Sequence, residues 1–158
     1  MNLIQQTCFF YGHQTLPSNK IENIIKCLNN EIDKLISQGV THFISGGVLG
    51  FDLIATSLIA TKKEMGQNIH LTFALSYQSH DKKWTRHQKK LLHSLLDEAD
   101  NIHYISEEYH SNCTNQRNAY MIQHSSFCVC ALKKYNNNVY KIVKKAQKNG
   151  IHIINVVK

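Results

Sequence analysis

Short apolar runs alternate with longer amphipathic segments along this whole chain, and that alternation restricts the fold more than any other feature. The runs are 7–11, 40–44, 69–75, 102–105, 127–132 and 151–157. Between them lie segments whose apolar residues recur at helical spacing. One opens near Pro17 and Ser18, carries Ile21, Ile24, Ile25, Leu28, Ile32, Leu35 and Ile36, and stops at Gly39. The other predicted helices cover 51–65, 81–98, a segment starting at 113–121, and 139–148. Strands that alternate with helices form a parallel sheet covered on both faces, so the expected fold is a single α/β domain over 1–158. Right-handed crossovers then bring the C-terminal ends of all strands to one edge, where such folds bind ligands.

The loop after the second run is the most distinctive at that edge. It reads Ser45-Gly46-Gly47-Val48-Leu49-Gly50-Phe51-Asp52 and leads into an almost wholly apolar helix. Glycines allow positive φ and close approach of a ligand to the main chain. The first amides of the following helix suit an anion. Asp52 stands in the first turn, where it caps the helix or accepts from ribose hydroxyls. A tight turn without a ligand is the plain alternative. Gly12-His13, Ser76-Tyr77, Glu107-Tyr109 and the loop from Lys133 also follow strands and converge on the same edge.

Composition narrows the class. A hydrophobic fraction of 42% with one proline excludes a disordered chain, and 158 residues suffice for a real core. No apolar run is long enough to span a bilayer, and the start lacks a signal-peptide pattern. Cys8, Cys27, Cys113, Cys128 and Cys130 form an odd set without a C-x-x-C pair, which reads as buried reduced thiols in a cytoplasmic protein. The net charge of +7 favours anionic partners without choosing among them. Ten scattered histidines show no metal-ligand spacing, so no metal or cofactor is expected. The helix over 51–65 is apolar on more than one face, which requires deep sandwiching or cover by another subunit. A homodimer or larger oligomer is therefore expected.

Four segments carry a family resemblance: Cys8-Phe9-Phe10-Tyr11-Gly12-His13, the stretch from Phe43 to Asp52, Lys83-Trp84, and Cys113-Thr114-Asn115-Gln116-Arg117-Asn118-Ala119-Tyr120-Met121. Together they resemble the SLOG superfamily, specifically its YpsA-like branch, over nearly the whole chain. Gly-His after the first strand with Arg-Asn-x-x-Met before the fifth is the specific part. The resemblance implies a Rossmann-like fold that binds nucleotides or nucleotide-derived signals. The superfamily includes relatives of cytokinin-activating phosphoribohydrolases, a DNA-processing protein that binds single strands, and sensor domains of anti-phage systems recognising cyclic ADP-ribose-type signals. Two positions depart from the family pattern. Gln14 stands where an arginine is usual, and Tyr135-Asn136-Asn137-Asn138 replaces a Gly-Gly-Thr phosphate cradle.

The expected ligand site is Gly12, His13, Ser45, Gly46, Gly47, Leu49, Gly50, Asp52, Ser76, Tyr77, Arg117 and Asn118. Arg117 offers a planar fork for a phosphate. Asn118 bonds a base or ribose, or caps its helix; His13 donates to a phosphate or packs at the strand end. Trp84 reads as core more than as a stacking ring. Tyr77 and Tyr109 are stacking candidates, while Lys82, Lys83, Arg86, Lys89 and Lys90 read as a solvated helix face. No catalytic residue is assigned, because the glycine loop holds one carboxylate and lacks the Thr-x-x-Glu of the phosphoribohydrolases. The leading reading is a binding protein for a nucleotide-derived small molecule of ADP-ribose or cyclic-nucleotide type. As a stand-alone domain it would sense the signal or sequester it, countering nucleotide-signalled anti-phage defence. The alternatives are a phosphoribohydrolase-like enzyme using Asp52 or Glu107, and a single-strand nucleic-acid binder, for which the loops offer few aromatics.

Overall fold

The computed structural model describes residues 2–133 and 137–157. Its strands are β1 (Thr7–Gly12), β2 (His42–Ser45), β3 (His70–Tyr77), β4 (Asn101–Ser106), β5 (Phe127–Ala131) and β6 (His152–Asn155). The helices between them are α1 (Ile21–Ser37), α2 (Phe51–Glu64), α3 (Arg86–Asp97), α4 (Cys113–Gln123) and α5 (Asn138–Lys148). All strands pair in parallel in the order β4-β3-β2-β1-β5-β6. The chain therefore steps outward from β1 to β4 and then returns to the other side of β1. The C-terminal ends of β1 and β5 flank this reversal, where a crevice opens in doubly wound sheets.

Strand alternation splits the core into two layers. Cys8, Phe10, Phe43, Leu71, Phe73, Leu75, Val129 and Ala131 face a layer closed by α1, α2 and α3. Phe9, Ile44, Ala74, Cys128 and Cys130 face a second layer closed by α4 and α5, with Met121, Ile122, Val143 and Ala146. Cys128 and Cys130 thus share a buried strand face, as their spacing implies. All five cysteines are free thiols, and burial pushes the Cys8 thiol up to about 12. No helix of the described residues is long and apolar enough to cross a membrane.

Two helices begin later than their apolar spacing suggests. Pro17 to Lys20 form a turn, with the Lys20 amide donating to the Pro17 carbonyl at 3.0 Å, and α1 proper starts at Ile21. Residues 79–84 form successive turns, and α3 starts only after Thr85. There Thr85 and Gln88 make a reciprocal capping box that sets the first turn.

The wide apolar surface of α2 is used up within one chain. This helix packs against β1, β2 and β3 beneath it, and against α1 and α3 at its flanks. Leu53, Ala55, Ile59 and Ala60 are buried, and Ile54 and Leu58 pack partly buried against the same core. Even Lys62 is buried, its Nζ donating to Asp33 Oδ1 of α1 at 2.7 Å. The apolar width of α2 consequently supplies no argument for a second subunit.

Candidate functional site

A cavity of about 680 Å³ opens at the C-terminal edge beside the strand-order reversal. Gly12 and His13 from the end of β1, Gly46, Val48 and Leu49 from the glycine loop, and Ser76 and Tyr77 from β3 form part of its wall. Arg117 and Asn118 from α4, with Val139, Lys141 and Ile142 from α5, supply further lining. Its size falls within the range of about 300–1,000 Å³ usual for small-ligand sites.

The glycine loop owes its shape to different demands at each glycine. Gly46 is the position of close approach: a Cβ there would lie 3.2 Å from Asp52 Oδ2 and 3.6 Å from the Arg117 guanidinium carbon. Gly47 and Gly50 adopt φ of 64° and 88°, which L side chains rarely take. A side chain at Gly47 would run into core Leu75, and one at Gly50 into the Gln14 backbone. The Phe51 amide donates to the His13 carbonyl at 3.1 Å, so the loop is clamped to the turn after β1.

Asp52 lies inside this loop, 4% exposed. Its Oδ2 accepts from the Val48 amide at 3.0 Å, and its Oδ1 from the Ser45 hydroxyl at 3.2 Å. The Ser45 hydroxyl in turn accepts from the Gly47 amide and from Thr56 Oγ1. Burial raises the Asp52 carboxyl to about 6, although the Val48 amide, the Arg117 charge and Ser45 each favour the charged form. It lines the cavity, but its first task is to hold the loop. The structure shows no side-chain cap on α2, so the capping role considered for Asp52 is corrected.

Arg117 is 6% exposed and belongs to the second turn of α4 rather than to its start. Its Nε and Nη2 donate to Asn118 Oδ1 at 3.3 and 3.0 Å. Asn118 Nδ2 donates to the Tyr11 hydroxyl at 3.3 Å. Arg117 makes no ion pair among the described residues. Asn118 accordingly positions the arginine, and the N-cap residue of α4 is Asn112. Burial raises the Tyr11 phenol, with the Arg117 charge opposing the shift.

An aromatic group forms another part of the wall. Tyr77, His80 and Trp84 all line the cavity. His80 meets Tyr77 edge-on at 6.4 Å and Trp84 at 5.3 Å. Its Nε2 donates to the Gly47 carbonyl at 3.0 Å. Trp84 packs against the α1–α3 core as well, so one ring serves both core and cavity.

Of the residues expected at the site, Gly12, His13, Gly46, Leu49, Asp52, Ser76, Tyr77, Arg117 and Asn118 line this cavity. Ser45, Gly47 and Gly50 do not, and act beneath the loop instead. Tyr109 is 69% exposed and touches the group through Tyr77 at 5.5 Å, whereas Glu107 stays exposed outside the cavity. Tyr11, His80 and Lys141 are additions. Tyr11 had a readable signal, since it directly precedes Gly12 at a strand end; His80 and Lys141 had none in their local sequence. Of the substituted cradle, Tyr135 and Asn136 fall outside the described residues. Asn137 caps α5 by accepting from the Tyr140 amide at 3.0 Å, and Asn138 is the first residue of that helix. No group of three or more His, Cys, Asp and Glu among the described residues could hold a metal ion.

Comparison with known proteins agrees with this fold. The chain is 27% identical over 107 residues to the UPF0398 protein BH1768 of Halalkalibacterium halodurans, covering 66% of this chain and 57% of that protein. It is 30% identical over 111 residues to the uncharacterized SPbeta prophage-derived protein YoqJ of Bacillus subtilis, covering 62% of this chain and 65% of that one. The chain thus spans less than two thirds of each relative. Among solved structures, DNA processing protein A of Streptococcus pneumoniae superposes with a TM-score of 0.67 at 13% identity, over 96% of this chain and 50% of that one. DNA processing protein A of Helicobacter pylori, solved for its single-stranded DNA binding mode, gives 0.65 at 16% identity, over 95% and 64%. At such identities these two structures establish a shared fold. The YspA SLOG family model matches residues 12–156, and the chain belongs to that family.

Proposed function

We propose that this protein binds a nucleotide-derived small molecule in the 680 Å³ cavity, with a phosphate at Arg117 and the base toward Tyr77 and Trp84. One observation carries the reading: Arg117 is buried, faces the cavity and forms no ion pair among the described residues. Its hydrogen bonds go to neutral Asn118, and the nearby Asp52 carboxylate is engaged by the loop and forms no ion pair with it, so an anionic ligand would supply compensation that the buried guanidinium lacks. Gly46 lets the loop approach Arg117 closely, and the planar fork favours a phosphate. Lys141 is a second cation at the wall, while Gln14 adds no charge. One or two phosphates therefore suit the site better than three, as in ADP-ribose or a cyclic nucleotide signal, which the protein would sense or sequester.

Calorimetric titration with AMP, adenosine, ADP-ribose, its cyclic forms and ATP tests this. Arg117→Ala should weaken AMP about ten- to a hundredfold, the loss of about 1.5–3 kcal/mol expected for a charge-assisted contact, and leave adenosine nearly unaffected. Arg117→Lys, which keeps the charge without the fork, should fall between. Equal losses for AMP and adenosine would remove Arg117 from the phosphate site. A clear preference for ATP would remove the phosphate count.

Hydrolysis has less support, because Asp52 is the sole carboxylate among the described lining residues and the loop already engages both its oxygens. A single-strand nucleic-acid binder is the second reading. It is favoured by exposed Tyr109 and by Lys82, Lys83 and Arg86 exposed around Trp84. Steep salt dependence of binding to a single-stranded oligonucleotide would select it over the small molecule.

A further inference from the structure

A second cavity, of about 440 Å³, lies on the other side of the turn after β1. Leu16, Pro17, Ile24 and Val157 give it an apolar lining, and Lys20 and Lys133 add two cations. His13 lines both cavities. Neither lysine forms an ion pair among the described residues. Lys20 is also the N-cap residue of α1, and its side chain makes no cap hydrogen bond. The first amides of a helix of 17 residues thus start at this cavity without a side-chain acceptor. Apolar walls with two ammonium groups outside any ion pair suit a sugar or nucleoside body whose oxygens meet the cations, rather than a bare ion.

We infer that the two cavities form one bipartite site, taking a ligand of two sugar or nucleoside moieties joined through phosphate, with the bridge passing His13. The inference rests on the reading of the first cavity as a nucleotide site and extends it to the ligand's second half. A mononucleotide would fill the first cavity and leave the second empty. A two-part ligand would add contacts to Lys20 and Lys133.

The test compares AMP with ADP-ribose by calorimetric titration of wild type, a Lys20→Ala/Lys133→Ala double variant, and Thr15→Trp. Thr15 is exposed and lines only the second cavity of the two, so tryptophan there would fill it from the solvent side. Wild type should bind ADP-ribose at least about tenfold more tightly than AMP, from one or more charge-assisted contacts. Both variants should lose that surplus while binding AMP as wild type does. Equal affinity for the two ligands in wild type, or unchanged ADP-ribose binding in both variants, would overturn the bipartite site and leave the first cavity's reading intact. Binding of neither ligand by wild type would overturn both. Unchanged urea midpoints would show that the variants fold.

Discussion

The Asp52 carboxylate accepts the Val48 amide proton at 3.0 Å, across four residues of its own chain. That bond ties the first turn of α2 back onto the loop preceding it. With the Ser45 hydroxyl on the other carboxylate oxygen, the glycine loop has an internal acidic anchor. The same anchor stands beside Gly46 and near Arg117, so loop shape and the charge of the cavity depend on one group.

The two adjacent glycines should respond differently to substitution. Gly46→Ala places a methyl group between Asp52 and Arg117, where it should weaken ligand binding with little loss of stability. Gly47→Val combines φ of 64° with a collision against Leu75 and should destabilise the fold by about 1–3 kcal/mol. The glycine pattern alone predicts that Gly47→Val blocks the ligand and spares the fold, and the Leu75 contact overturns that reading. Urea unfolding alongside titration with AMP checks both; a Gly47→Val protein of wild-type stability would contradict the packing.

Stability should depend on pH through Asp52. Its folded value of about 6 lies above the ordinary 3.8, so between these values the folded state holds a proton that the unfolded state has lost. Stability from this group must therefore rise as pH falls from above 6 toward 4, by about 3 kcal/mol in all. Above pH 6 the buried charge costs that amount relative to an exposed carboxylate. Asp52→Asn should flatten the profile over that window. An NMR titration placing the Asp52 carboxyl near 4 would refute the assignment.

Lys62 and Asp33 join α2 to α1 unequally, since the lysine side chain is 9% exposed and the aspartate 51%. Asp33→Ala leaves a buried ammonium without its partner, whereas Lys62→Met keeps the packing and removes the charge. Asp33→Ala should therefore cost about 1–3 kcal/mol and Lys62→Met less. Chemical denaturation of the two variants decides, and the reverse order would count against burial of the cation.

Trp84 should matter for the base end of the proposed ligand. Trp84→Ala is expected to weaken AMP by about ten- to a hundredfold through lost stacking, and to change ribose 5-phosphate little. Because the ring also packs on the α1–α3 core, stability should fall as well. Equal losses for both ligands would place the base elsewhere.

Legibility in the sequence followed how local each feature is. Alternating apolar runs and helical spacing are properties of short windows, so the chain's own pattern already dictated a parallel α/β sheet and the edge on which its loops converge. Gly46, Arg117 and Asn118 were readable because they stand in compact motifs. Helix starts were less so: the capping box at Thr85 and Gln88, not the apolar spacing, ends the turns over 79–84. What only tertiary structure decided depends on which elements lie side by side. Tyr11 meets Asn118 across 107 positions because the strand order returns β5 to β1 and sets α4 over that edge. Gly47 faces Leu75 rather than a ligand because β2 and β3 are neighbours. Lys62 is buried, and the broad apolar face of α2 covered, because α1 and α3 flank that helix. Periodicity states how much of a helix must be covered; the packing of the whole chain determines what covers it.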